Sequence, residues 1–262
     1  MVRPVSSAET APSTARRALV IAHEPDGPAR QVEVRLRERG FDVHTHVVTP
    51  DFNKPNEATP WPDLSEYDIV LPMGSIRSLT RKHEIESWID DELQLLREAH
   101  ERNQPMFGIC FGGQLLAEAL GGSVEEAPVT EIGWYELRAP EGTENPAGPG
   151  PWKEWHHDRF TAPPESEVLA ETEDAAQLFR IGRTIGTQFH PEVDGAHIAD
   201  WVSQAGEEYL GSYDKSGPEL VELAEMHEEA NTKQCHALVD WWLDEVAFPD
   251  GLDAEAQQEA TV

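Results

Sequence analysis

The sequence predicts an α/β domain: an open, mostly parallel sheet flanked by helices, followed by a helical C-terminal extension. Three observations predict it. Short apolar runs alternate with amphipathic stretches through the first 120 residues. Turn-forming Gly, Pro and Asp residues bound most of the runs. Helical spacing then fades and returns over the last 60 residues. Strands that alternate with helices argue for parallel pairing, because neighbouring parallel strands need a crossover that a helix fills.

Residues 1–16 begin in a stretch rich in Ser, Ala, Pro and Thr and predict a disordered tail. Ala18-Leu19-Val20-Ile21-Ala22 reads as a buried first strand, closed by His23 and the turn Glu24-Pro25-Asp26-Gly27-Pro28. Residues 29–39 carry Val32 and Leu36 at helical spacing, and Gly40 stops that helix. Residues 41–48 alternate apolar and polar, as a half-buried strand does. A Pro- and Asn-rich loop spans 51–63, and residues 67–71 form a third strand ending at Pro72.

Residues 83–102 predict an amphipathic helix with Ile85, Trp88, Ile89, Leu93, Leu96 and Ala99 on one face. Residues 105–109 form a fourth strand that runs into Cys110, and a helix follows from Gly113 to Leu120. Within 123–193 short strand-like runs cover 133–137 and 184–189, with a Gly/Pro loop at 141–151. Leu223, Met226, Leu238, Trp241 and Trp242 mark a late helix over 220–246, and the final 14 residues read as frayed. The organisation is therefore a tail (1–16), one α/β domain (17–200) and an acidic helical extension (201–262), without an internal repeat.

Fifty acidic residues against 20 basic ones give a formal net charge of −30. Such a surface repels phosphate backbones and argues against nucleic-acid binding. No apolar run reaches the roughly 20 residues needed to span a bilayer, and the N-terminal stretch lacks the apolar segment of a secretory signal. Two cysteines, Cys110 and Cys235, make no disulfide framework. The expectation is a cytoplasmic, soluble protein without a membrane partner.

The chemistry concentrates in two motifs. In Gly108-Ile109-Cys110-Phe111-Gly112-Gly113-Gln114 a strand meets a helix at Gly-x-Cys-x-Gly. This is a nucleophile elbow with Cys in place of Ser. Glycines on either side leave no Cβ to clash in the tight turn. The sulfur stands at a helix N-terminus, a position that favours an anion. The Phe111 N–H points toward a developing oxyanion. In Gln188-Phe189-His190-Pro191-Glu192, 80 residues after Cys110, His190 is placed as the base the thiol needs. Residues two apart in extended chain project to one side, so Glu192 reaches the ring of His190 and orients it.

As a pair, these motifs resemble the class I (triad-type) glutamine amidotransferases, the glutaminase domain of GMP synthase among them, over about residues 18–200. The resemblance implies a flavodoxin-like sheet, Cys110 as nucleophile, His190 as general base and acid, and Glu192 as orienting carboxylate. It implies an oxyanion hole from the N–H groups of Gly74 and Phe111. Pro72-Met73-Gly74-Ser75 departs here from the family's usual Gly-Gly-Pro. Gln114 matches a family substrate-binding glutamine. Ser75, Gly133 (in Glu131-Ile132-Gly133-Trp134), and His156 and Asp158 (in Trp155-His156-His157-Asp158) fall on segments that border the glutamine pocket. His157 stands where the family has Gly.

The implied reaction hydrolyses the side-chain amide of L-glutamine through a cysteine thioester, with no cofactor. Residues 201–262 are too short for a nucleotide site and no P-loop pattern occurs. The ammonia would pass to a separate synthetase partner subunit, or the chain would act alone. The helical tail packs on the domain or forms a homodimer contact. Two alternatives stay open: a γ-glutamyl hydrolase with the same triad, and an idle relative serving as a binding or regulatory module. His44, His46, His156 and His157 lack the Cys/His partners of a structural zinc, so no metal is expected.

Overall fold

The computed structural model describes residues 15–252. Most of the expected tail, and the end of the chain past residue 252, lie outside the described residues. Strands β1 (Arg17–Ala22), β2 (Asp42–Val47), β3 (Ile69–Pro72), β4 (Met106–Ile109) and β9 (Thr184–Thr187) pair in parallel. Strands β7 (Glu167–Glu171) and β8 (Ala176–Ile181) add antiparallel at one edge, for the order β2-β1-β3-β4-β9-β8-β7. A separate antiparallel ribbon joins β5 (Ser123–Tyr135) to β6 (Trp152–Thr161).

The central strands are buried on both faces, which is why they read as unbroken apolar runs. Val20 points into one cluster with Leu36, Phe107 and Trp242. Its neighbours Leu19 and Ile21 point into the other, with Leu93, Leu96 and Leu115. Each such side chain contributes about 1.5–3 kcal/mol by leaving water. Helices α1 (Arg30–Glu38), α2 (Ile89–Glu101) and α3 (Phe111–Ala119) carry the crossovers.

Two sequence expectations shift. The helix expected over 83–102 begins only at Ile89, because Trp88 has φ −144° and leaves the helical region. The loop at 51–63 competes for this turn. Asn56 accepts from the Ser87 N–H (3.1 Å) and donates to the Glu84 carbonyl (3.1 Å), while the Trp88 indole donates to the Pro55 carbonyl (2.7 Å). Ile85 and Trp88 still reach the core, but by tertiary contacts. The helix expected from Gly113 begins two residues earlier, at Phe111, directly after Cys110.

Beyond residue 194 come α4 (Gly195–Ala205), α5 (Glu207–Gly211) and α6 (Gly217–Trp241), which a π turn continues over Trp242–Ala247. Cys235, Leu238, Val239, Trp242 and Leu243 join the cluster that holds Val20 and Phe107. Asp240 also ties α6 to α1, through Arg35 (2.7 Å) and Arg39 (2.6 Å). Among the described residues, no helix is long and apolar enough to cross a membrane.

Candidate active site

Cys110 joins β4 to α3 with φ +52° and ψ −107°. A non-glycine residue there costs on the order of 1–3 kcal/mol, so its surroundings must enforce the turn. Its N–H donates to Thr187 O (2.8 Å) and its carbonyl accepts from the Gln114 N–H (2.9 Å). The Gly112 N–H donates to Met73 O (3.0 Å). A Cβ on Gly112 would overlap the Pro72 carbonyl, and one on Gly113 the Thr187 carbonyl. The start of α3 is wedged between the ends of β3 and β9, and only glycine admits that approach.

His190 follows β9, and its N–H donates to Lys153 O on β6 (2.9 Å). Its Nδ1 lies 2.8 Å from Glu192 Oε1. That leaves Nε2 free of Glu192, and Cys110 acts on the ring electrostatically. Burial alone would push the His190 pKa down; Glu192 and Cys110 together outweigh it and raise the value to about 10. Gln188 Nε2 stands 3.7 Å from Cys110 Sγ. Trp201 of α4 sets its ring edge-on to His190, centroids 4.8 Å apart.

Gly74 closes the other side. A Cβ there would stand 3.2 Å from His190 Cε1 and 3.9 Å from Cys110 Cβ. Ser75 Oγ donates to Glu24 (2.9 Å) and accepts from the Arg77 N–H (3.0 Å). The first N–H groups of a helix have no acceptor within it, so the Phe111 N–H opens α3 as a donor beside the sulfur.

These groups line a cavity of about 490 Å³ that takes in Cys110, Gly74, Ser75, Gln114, His156, Asp158, His190 and Glu192. Gln114 Nε2 donates to Asp158 O (2.9 Å) and Gln188 Oε1 (3.2 Å). Ser78 donates to the Asp158 carboxylate. Gly133 is the one expected site residue that does not line the cavity: it lies on β5 opposite Glu154. His157 takes Thr130 (3.1 Å) and Tyr209 (2.6 Å), so the residue in place of the family's Gly tethers α5 to the ribbon.

His156 faces inward from β6. Its Nδ1 lies 3.0 Å from Asp158 O, and its Nε2 lies 2.9 Å from Glu131 and 3.4 Å from Glu154. These three side chains are the metal-ligating types that converge among the described residues, with donor atoms within 4.8 Å of one another. Burial lowers the His156 pKa, but the two carboxylates outweigh it and lift the value to about 10. A proton on Nε2 thus fills the space between them. Burial raises Glu154 to about 7 and lowers Lys153 to about 7. His44 and His46 lie on the edge strand β2, three strands from β4.

Sequence reasoning missed several residues here. Gln188 sat inside a quoted motif without a role. His23 and Glu24 looked like the boundary of β1, yet they hold the Gly74–Ser75 loop. Trp155, Trp201 and Tyr209 also line the cavity. The available signal was the clustering of aromatic residues on segments that flank the two motifs.

Comparison with known proteins identifies the family. The description "Glutamine amidotransferase class-I" matches residues 29–199. A stretch of 95 residues is 46% identical to GMP synthase [glutamine-hydrolyzing] of Thermus thermophilus, covering 34% of this chain and 19% of that enzyme. A putative glutamine amidotransferase-like protein of Salmonella typhimurium, YfeJ, is 28% identical over 205 residues, covering 74% of this chain and 83% of its own length. The crystal structure of a glutamine amidotransferase from Thermotoga maritima superposes with a TM-score of 0.76 at 24% identity, over 88% of this chain and all of that one. The likeness to that structure is one of fold. The family match over residues 29–199 establishes that the chain belongs to the class I glutamine amidotransferases.

Proposed function

We propose that the protein hydrolyses the side-chain amide of L-glutamine through a thioester on Cys110. One observation carries the reading: Cys110 and His190 line the same cavity, and His190 Nδ1 lies 2.8 Å from Glu192. The Cys110 thiolate attacks the amide carbon, and the N–H groups of Phe111 and the Gly74 loop receive the oxyanion. As the tetrahedral species collapses, the C–N bond breaks, and His190 gives its proton to the departing nitrogen, which leaves as ammonia. Water then adds to the thioester and His190 takes its proton. Collapse of that second adduct expels the sulfur and releases glutamate. Glu192 keeps the ring in one orientation and stabilises the imidazolium.

In this reading the ammonia passes to an acceptor held by a synthetase. The Thermus relative supports it, being named as a glutamine-hydrolysing synthase five times longer than the stretch it shares with this chain. The deciding measurement is ammonia release from L-glutamine, with Cys110→Ala as control. Cys110-dependent release is expected; release that survives Cys110→Ala would overturn the nucleophile.

A second reading, hydrolysis of a larger γ-glutamyl amide, is favoured by the size of the cavity and the aromatic side chains of Trp155, Trp201 and Tyr209 that line it. Binding sites for drug-sized ligands begin at roughly 300 Å³. Turnover of substituted γ-glutamyl amides without turnover of glutamine would select it.

A further inference from the structure

His23 and Glu92 are fully buried ionisable residues that the reaction above does not use. They sit directly behind the catalytic loop. His23 Nδ1 lies 3.2 Å from Gly74 O, and its Nε2 lies 3.2 Å from both oxygens of Glu92. A carbonyl only accepts, so Nδ1 carries a proton. The ring stacks on Trp88 (centroids 5.7 Å) and meets Phe111 edge-on (4.8 Å). It therefore touches residues at both expected oxyanion donors. Thr49 fixes the His23 carbonyl through its N–H (2.9 Å) and hydroxyl (2.8 Å).

Gly74 is the residue of this loop with the most backbone freedom. The peptide before it is held by Gly112 N–H on Met73 O. The peptide after it is held by His23 on Gly74 O. In a planar trans peptide the C=O and N–H point opposite ways, so anchoring both carbonyls sets the direction of the Gly74 and Ser75 N–H groups. Without the His23 anchor, rotation at Gly74 would swing a carbonyl into the place of a donor, beside Cys110 and His190.

We infer that His23, backed by Glu92, is a positioning residue that holds the Gly74 loop with its N–H groups toward the charge that develops beside Cys110; the inference rests on the thioester reading. Glu92 fixes the ring from behind, as a carboxylate orients a catalytic histidine. Glu24 adds a second tie through Ser75.

The test uses two double variants of the full chain, since removing His23 alone would strand a buried carboxylate. His23→Phe/Glu92→Leu keeps an aromatic ring but no donor. His23→Asn/Glu92→Leu restores an N–H near the position of Nδ1. Expected for the Phe variant is a fall in kcat of about ten- to a hundredfold, as for a small misplacement of reacting groups, with KM within about twofold of wild type. The Asn variant should recover much of kcat although it packs worse and melts lower. Unchanged kcat in the Phe variant, or activity that follows melting temperature across the pair, would overturn the clamp. Wild-type silence on every γ-glutamyl amide would overturn the thioester reading instead. The clamp would then be judged by a crystal structure of the Phe variant: a Gly74 carbonyl still in place refutes it, and a rotated one supports it.

Discussion

Glu192 Oε1 stands 2.8 Å from His190 Nδ1 with only Pro191 between the two residues. The chain bends at Pro191, whose ring fixes φ there, and the bend brings the two side chains together. The second Glu192 oxygen is buried and makes no hydrogen bond. Glu192 thus holds the ring through one hydrogen bond. His190→Ala removes proton transfer itself and should lower kcat by on the order of 10⁶, while Glu192→Gln should cost on the order of 10⁴, following the graded losses of a hydrolytic triad. Steady-state kinetics on both variants check this. Equal rates for Glu192→Gln and wild type would place the third member elsewhere.

The two thiols should react very differently. Cys110 lines the cavity, whereas Cys235 is fully buried in the core and burial raises its pKa well above the ordinary thiol value. The thiolate is the reactive form, so a buried thiol of raised pKa is inert. Iodoacetamide on the native protein should add one group, on Cys110, as read by mass spectrometry of peptides. The same treatment in denaturant should add two. Rapid native labelling of Cys235 would mean that α6 opens from the sheet.

The strand-to-helix turn at Cys110 and the His190-Pro191-Glu192 turn were legible in the sequence because each is built from residues close together in the chain. The central strands were legible because burial on both faces leaves unbroken apolar runs. The inward face of β6 was not. Trp152, Glu154, His156, Asp158 and Phe160 all point inward and are buried, yet three of the five are ionisable, so alternation of hydropathy disappears. The His156 cluster needs Glu131 from β5, and the His23 clamp needs Glu92 from α2. Such contacts across the chain leave no local trace. The expected helix over 83–102 failed at its start for a related reason: Asn56, about 30 residues upstream, supplies the hydrogen bonds that displace its first turn.

His156 gives a stability prediction with a definite sign. Its pKa rises from an unfolded value near 6.5 to about 10 in the folded protein. The folded state therefore holds the proton more tightly, and this contribution is complete below pH about 6.5 and lost as pH climbs toward 10. Lys153 works the other way, because burial lowers it to about 7; wild type and variant share that effect, so it cancels between them. The stability gap between wild type and His156→Gln, from urea unfolding, should shrink steadily from pH 7.5 to 10. A gap independent of pH would show His156 to be neutral between its two carboxylates.

Two glycines near the sulfur should separate folding from catalysis. At Gly112 a Cβ meets backbone, the Pro72 carbonyl, which has no rotamer to move into. Gly112→Ala should destabilise by about 3 kcal/mol or more, the upper range of overpacking, and activity should fall with the folded fraction. At Gly74 the Cβ meets His190 Cε1 at 3.2 Å, a ring that can shift by tenths of an ångström. Gly74→Ala should therefore melt close to wild type. The same small shift moves His190 relative to Cys110, and displacement of reacting groups costs up to roughly a hundredfold in rate. Urea unfolding and kcat measured on both variants give the comparison. A Gly74→Ala protein with full activity would mean that the loop does not press against the reacting groups during turnover.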